Sequence, residues 1–398
     1  MRGSIQVLFS SQFEPKNKFL SARRLHTIHF IWDNVSKKSA NLSPRKWGTW
    51  LEKKRGLPVQ VIDTHAHVAP RRYKEAIAKK GEWHGLNNVI GELQRPEGFN
   101  KDIETRLAEM DAAGIDRQLV TPSVGFYQYD NELEATVTIA RECNEDIAEM
   151  VNDNPDRFSG LGTVPLQDVP SAIEELTRIV KELGLKGAII NDHVNNVTYD
   201  HPRFLPFFEA AEKLGAILEF HQGGSGASGI GTVVNPRIPG YSLPNGIGNL
   251  ADRTITFSAL VFGGVLDKHP NLKVLLAHGG GYTAFGIGRL DKVAGAFEGS
   301  YPDGPLTPPF VQPDEQYKLQ RPPSTYLSEF NYDCITYDGE ALRFLIDKVG
   351  ADRVMLGTDY PAPMLLIDSV RWIESLPQLT QDEKNQILRV NPNRLLEL

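Results

Sequence analysis

One pattern recurs along the chain and limits its folding more than any other: an amphipathic helix runs to a glycine, and a short apolar run follows at once. "IETRLAEMDAAGIDRQLV" shows it, with Ile103, Leu107 and Met110 on one helical face. "AIEELTRIVKELGLKGAII", "FFEAAEKLGAILEF" and "ALRFLIDKVGADRVMLG" repeat it. A glycine after the last helical turn suits the left-handed backbone that a Cβ penalises. Apolar runs that follow directly read as buried parallel strands. Eight such runs occur: Val61–His65, Gln118–Thr121, Gly160–Val164, Gly187–Asn191, Ala216–His221, Lys273–His278, Phe330–Ile335 and Arg353–Gly357. Eight strands interleaved with helices predict an α/β fold, a (β/α)8 TIM-like barrel with long loop insertions after strands 1, 5 and 6. A doubly wound open sheet is the competing topology, but no G-x-G-x-x-G fingerprint follows the first strand.

The insertions after strands 5 and 6 cover residues 222–256, rich in Gly and Pro, and 296–325, which contains "YPDGPLTPPFVQP". Loops of that length commonly carry a lid or an oligomer contact, or are plain surface excursions. A capping box, Thr380 to Glu383, opens a C-terminal helix.

Charge divides the chain in two. Residues 1–60 carry 12 Lys and Arg against 3 Asp and Glu, whereas the 398 residues together carry −7. The basic segment 1–60 is read as an N-terminal extension, flexible or targeting, and 61–398 as the barrel. An organellar transit peptide fits it only weakly, so the expected location is cytoplasmic. The two cysteines, Cys143 and Cys334, do not make a disulfide framework. No apolar stretch approaches the roughly 20 residues of a spanning helix. The acidic balance gives no reason to expect nucleic acid or a membrane as partner.

Of ten histidines, four fall at or just beyond strand ends: His65, His67, His221 and His278. Asp359 follows the eighth strand in "VMLGTDYP". All strand C-termini of a barrel share one face, where barrel chemistry is built. Residues i and i+2 of a strand point the same way, so His65 and His67 of "VIDTHAHVAP" converge. With His221 and Asp359 they form an N3O donor set for one divalent metal, Zn2+ first, Mn2+ or Fe2+ as alternatives. Asp63 is a candidate supporting partner, and His193 either enters the pocket or sits in a surface loop, the latter being preferred. His278 opens "HGGGYTAFGIGRLD" and is placed to exchange a proton with the metal's water. Arg289 either clamps a substrate carboxylate or pairs with Asp291 or another subunit's acid.

On these residues the sequence resembles the amidohydrolase superfamily, and within it the branch that contains α-amino-β-carboxymuconate-ε-semialdehyde decarboxylase. "IDTHAHVAP", "RLAEMDAAGID", "GTVPLQD", "LEFHQGG", "LLAHGGGYTAFGIGRLD", "RPPSTYL" and "DRVMLGTDYPAP" carry the likeness, in order, over 61–398. The resemblance implies that His65, His67, His221 and Asp359 bind one Zn2+ and a water, and that His278 is the acid/base. It implies that Arg289 grips a substrate carboxylate, often across a subunit interface, with Arg95 of "LQRP" as a second carboxylate arginine. Lys186 precedes the fourth strand, which argues against a bridging carboxylated lysine and for a mononuclear site. Retention of His-x-His favours the Zn-dependent type over relatives that begin this motif with Glu.

The expected function is therefore metal-dependent, non-oxidative decarboxylation of a small unsaturated or aromatic carboxylic acid by a homodimer. The alternative is a metal-dependent hydrolase of an amide, ester, lactone or C–C bond, which needs the same activated water. A metal-bearing scaffold without activity is disfavoured by His278 beside an open metal position.

Overall fold

Helices of the chain deliver it to the next strand through a left-handed turn. The helix Ile103–Ala113 stops at Gly114 (φ 74°) and Leu205–Leu214 stops at Gly215 (φ 65°). An L side chain is penalised there, so glycine ends the helix and lets the strand begin within three residues. The computed structural model describes residues 59–87, 98–99, 101–223, 243–296, 319–366 and 368–398, all in the unit Val59–Leu398. Segment 1–58, and with it the expectation of a flexible or targeting extension, lies outside the described residues, as does Arg95.

Eight strands form: β1 Ile62–Val68, β2 Arg117–Pro122, β3 Phe158–Gly160, β4 Gly187–Ile190, β5 Ile217–Phe220, β6 Lys273–Leu276, β7 Asn331–Asp333 and β8 Val354–Met355. Every neighbouring pair is parallel, β1-β2-β3 in one run and β4 through β8 in the other. Both seams are stitched. Gly162 bridges Ala188, with Gly162 N donating to Gly187 O at 2.8 Å. Ala66 bridges Tyr360, and Thr64 N donates to Leu356 O at 2.8 Å. The ring thus closes as the expected barrel.

Four boundaries differ most from the sequence reading. β1 runs on to Val68, so His65 and His67 lie inside the strand and not at or beyond its end. β3 is regular only over Phe158–Gly160, with pairing that runs on through Leu161 N to Val120 O and Gly162 N to Gly187 O, before Thr163 N turns to Asn144 Oδ1 and leaves the ladder. β6 stops at Leu276, and His278–Gly280 forms a 3-10 turn. The insertion after β5 is not loop throughout: helix Asn249–Phe262 begins inside it and buries Phe257, Leu260 and Val261. Glycine and proline dominate only up to Gly248, and the apolar period resumes after it.

The barrel interior is layered. Ile62, Leu119, Leu161, Ile217, Leu275 and Met355 pack together with Leu395 and Leu396 from the C-terminal helix Asn391–Leu396. That helix lies at the strand N-termini, since Asn393 Nδ2 donates to Gln60 O at 3.0 Å and Glu397 pairs with Lys273. The capping box ahead of it forms as expected, Thr380 accepting from Glu383 N and Glu383 reaching back to Thr380 N. The other end of the barrel is polar.

Candidate metal centre and active site

β1 carries a register shift between Asp63 and Ala66, which turns His65 and His67 inward above Ile62. Their imidazole Nε2 atoms stand 3.1 Å apart. Asp359 Oδ1 lies 3.1 Å from His67 Nε2 and 3.6 Å from His65 Nε2. The rings of His65, His67 and His221 are mutually near-perpendicular, at 84–89° with centroids 4.8–5.0 Å apart. All three are buried, at 0%, 3% and 5% exposure.

Each of the three rings is anchored through Nδ1. His65 Nδ1 donates to Asp333 Oδ2 at 2.7 Å, and His221 Nδ1 donates to Gln222 O at 2.8 Å. Both acceptors lack a proton to give, which assigns the Nδ1–H tautomer. His67 Nδ1 meets Thr121 Oγ1 at 3.0 Å, and that hydroxyl lies 3.4 Å from Ala66 O, to which it donates. Three Nε2 lone pairs therefore point at one place. His221 Nε2 has no hydrogen-bond partner among the described residues. Lone pairs held this close need a positive charge between them. Three anchored imidazoles and a carboxylate fit a divalent cation, with the outer hydrogen bonds such ligands normally have.

His278 completes the group. His65, His221, His278 and Asp359 offer donor atoms that all lie within 4.8 Å of one another. Its ring is stacked on His65 (25°, 5.3 Å) rather than perpendicular to it, its Nε2 is 3.7 Å from Asp359 Oδ2, and its side chain keeps 11% exposure. His278 and Asp359 both hold positive φ, 56° and 60°, a strained backbone for non-glycine residues of the kind that gathers at functional sites. The glycines after His278 answer to close packing: a Cβ on Gly281 (φ 66°) would lie 2.2 Å from Leu250 O.

Electrostatics follow from burial and pairing. Burial opposes a charged His65, but the Asp333 hydrogen bond, with Glu219 and Asp359 nearby, outweighs it and raises the pKa to about 9. Burial lowers His67 and takes His221 well below the usual imidazole value. Burial also opposes ionisation of Asp359, yet the imidazoles of His278, His67 and His65 hold it well below the ordinary carboxylate range. Burial pushes Asp63 up to about 6. Asp63 accepts from Thr358 Oγ1 (2.6 Å), Thr358 N, His65 N and Gln118 Nε2, so it ties β1 to the residue before Asp359.

The remaining expected residues fall elsewhere. Arg289 is exposed on the helix Thr283–Ala296 and makes no ion pair with a described residue; Asp291 instead accepts from Ser324 N. His193 is buried (6%) rather than in a surface loop, because its segment is covered by helix Asn249–Phe262, and it lies outside the metal group. Lys186 precedes β4, at the strand end away from the histidines, as expected.

Three groups escaped the sequence reading. Asp333 ends β7 and accepts from His65 Nδ1, His278 N, Gly279 N and Ile335 N. Glu219 stands two residues before His221, an i, i+2 signal that was visible in "LEFHQ". Arg253, fully buried, bonds Asp192 Oδ1 (2.6 Å), Gln222 Oε1 (2.6 Å) and Ala277 O (3.2 Å), next to His221 and His278. It lies in the stretch that composition presented as loop.

A closed parallel barrel with histidines and a carboxylate gathered at its strand C-termini defines a metal-dependent barrel enzyme. The chain belongs to the amidohydrolase family, whose model matches residues 62–398. It is 33% identical to a 2-amino-3-carboxymuconate-6-semialdehyde decarboxylase of Dictyostelium discoideum, over 85% of this chain and 91% of that protein. It is 28% identical to a gamma-resorcylate decarboxylase of Rhizobium sp. (strain MTP-10005), over 74% and 87%. The crystal structure of 5-carboxyvanillate decarboxylase from Sphingomonas paucimobilis superposes with a TM-score of 0.71 at 27% identity, covering 85% of this chain and 99% of that one. All three relatives are decarboxylases.

Proposed function

We propose that the chain is a metal-dependent, non-oxidative decarboxylase of a small unsaturated or aromatic carboxylic acid. One observation carries the reading: three anchored Nε2 lone pairs and Asp359 converge on one point, beside a partly open His278. His65, His67, His221 and Asp359 would hold one divalent cation, Zn2+ by the predominance of imidazole. When bound, such a cation supplies a Lewis acid and makes water at the site more acidic.

The protein's part is to position acids and bases. Asp333 fixes the backbone N–H groups of His278 and Gly279, which sets the imidazole at the open side of the site. His278 can there take a proton and deliver it to the substrate carbon that carries the carboxylate. Protonation at that carbon breaks the conjugation and gives the C–CO2 bond electrons a place to go, and CO2 leaves. No oxidant is consumed, and no water is used overall.

Arg289 is the proposed grip on a substrate carboxylate, in a homodimer and from the neighbouring subunit. Its support is an exposed guanidinium without an ion pair among the described residues, one helical turn from Phe285, which is 85% exposed. Arg95 is the proposed second carboxylate arginine.

CO2 release from carboxylated muconate and dihydroxybenzoate compounds by the Zn2+-loaded protein tests the reaction. Hydrolytic cleavage without CO2 would replace it with the hydrolase alternative. His278→Ala is expected to keep its metal and lose at least ~10²-fold in kcat, the usual scale of a lost acid/base group. Loss of the metal would instead make His278 a ligand.

A further inference from the structure

Glu219 lies on β5 two residues before His221, so both side chains leave the same face of the strand. Its partners across the sheet are Ile189 on β4 and Leu275 on β6, and Ile217 and Leu275 belong to the apolar layer at the strand N-termini. Packing alone would place an aliphatic residue here. The glutamate is instead fully buried, and neither carboxylate oxygen has a hydrogen-bond partner among the described residues. Protonation does not cure this, because a carboxylic acid still carries an O–H donor and a C=O acceptor that need partners.

The carboxylate is aimed at the metal centre. Glu219 Oε1 is 3.9 Å from His65 Nε2, the same nitrogen that lies 3.1 Å from His67 Nε2 and 3.6 Å from Asp359 Oδ1. Two donors bound at roughly 2.0–2.2 Å to one cation stand about 3–4 Å apart. Glu219 is therefore spaced from His65 as a co-ligand would be, and it approaches from inside the barrel, whereas His278 borders the open side.

We propose that Glu219 is a further ligand of the cation, so that the donor set is three imidazoles and two carboxylates. The inference rests on the single-cation reading above. A second carboxylate makes the site harder. Imidazole suits Zn2+, while carboxylate oxygen suits Mn2+, so Glu219 raises Mn2+ affinity relative to Zn2+.

The test is metal binding by the full chain, with no assay of turnover. Mn2+ is titrated into wild-type protein, Glu219→Gln and Glu219→Leu, with free Mn2+ followed by its EPR signal, and Zn2+ affinity is measured by competition with a chelator. Wild type is expected to bind one Mn2+ per chain. Glu219→Gln is expected to weaken Mn2+ at least ~10-fold and Zn2+ by less, so that the Mn2+ to Zn2+ affinity ratio falls. Glu219→Leu fills the apolar layer and is expected to fold with the same loss of ratio, which keeps the test decisive should the Gln variant not fold. Wild-type Mn2+ affinity in either variant, or equal losses for the two ions, overturns the proposal and leaves the metal reading standing. Failure of wild type to bind any divalent cation overturns both.

Discussion

The two ends of the barrel are built from the same strands and solve opposite problems. At the strand N-termini, Ile62, Ile217, Leu275 and Met355 meet Leu395 and Leu396 in an apolar plug. A few residues further along β1 and β5, the same backbone presents His65, His67, Glu219 and His221, all buried and polar. The plug gains free energy by removing apolar surface from water. The polar end buries carboxylates and imidazoles, a costly arrangement unless they are paired with each other or with a cation, and it holds His278 and Asp359 at positive φ. Stability is thus generated at one end of each strand and spent on chemistry at the other, as barrel enzymes generally divide it.

That division can be broken by paired substitutions. Asp359→Ala should lower kcat/KM by at least ~10³, since a bound cation supplies several kcal/mol of transition-state stabilisation. Its unfolding midpoint in chelator should fall, but by less than that of Leu396→Ala, because the lost pairing with the imidazoles of His65, His67 and His278 is offset by relieving the cost of a buried carboxylate. Leu396→Ala should do the reverse and destabilise by about 2–5 kcal/mol, with kcat unchanged where the protein is folded. Denaturant unfolding beside steady-state kinetics on both variants checks the pair. A midpoint for Asp359→Ala as low as that of Leu396→Ala would mean that the polar end also holds the fold together.

The chemical end was far more legible in sequence than its supports. His65, His67, His221, His278 and Asp359 announce themselves because strands carry them or run straight into them and because i, i+2 spacing is a property of any strand. Asp333 does not. It falls inside the expected strand Phe330–Ile335, of which only Asn331–Asp333 forms, too short for a two-residue period to mark its face, and nothing local singles out its acid until the fold brings it against His65 Nδ1. Arg253 hides for another reason. Gly and Pro fill the preceding stretch, and only burial against Asp192 and Gln222 distinguishes it from a surface arginine. Expected strand three leaves the ladder after Gly162 because Thr163 bonds the buried Asn144 side chain through both its N–H and its carbonyl, a contact no local pattern records.

Asp333→Asn sharpens the comparison at these supports. The amide can accept through one oxygen only, so it cannot serve His65 Nδ1, His278 N and Gly279 N together as the carboxylate does. Loss of such an outer partner typically costs ~10–100-fold in metal affinity. Competition with a chelator measures it. An unchanged affinity would show that packing, not Asp333, orients His65.

The smallest effect separates the ends by pH. In metal-free protein the pKa of His65 is raised from 6.5 to about 9, so near neutrality its Nε2 carries the proton that a cation must displace. His67 and His221 are lowered and have no proton to lose there. Apparent metal affinity should therefore rise about tenfold per pH unit from near neutrality to about 9 and level off above it, one proton being released per cation. A slope of three would mean that all three imidazoles are protonated; a slope of zero would mean that none is. The sign for the metal-free fold is opposite. A raised imidazole pKa adds stability that is complete below the ordinary value of 6.5 and is lost as pH rises through about 9. The apolar plug has no titrating group, so the penalty of Leu396→Ala should stay constant over the same range while wild-type stability declines.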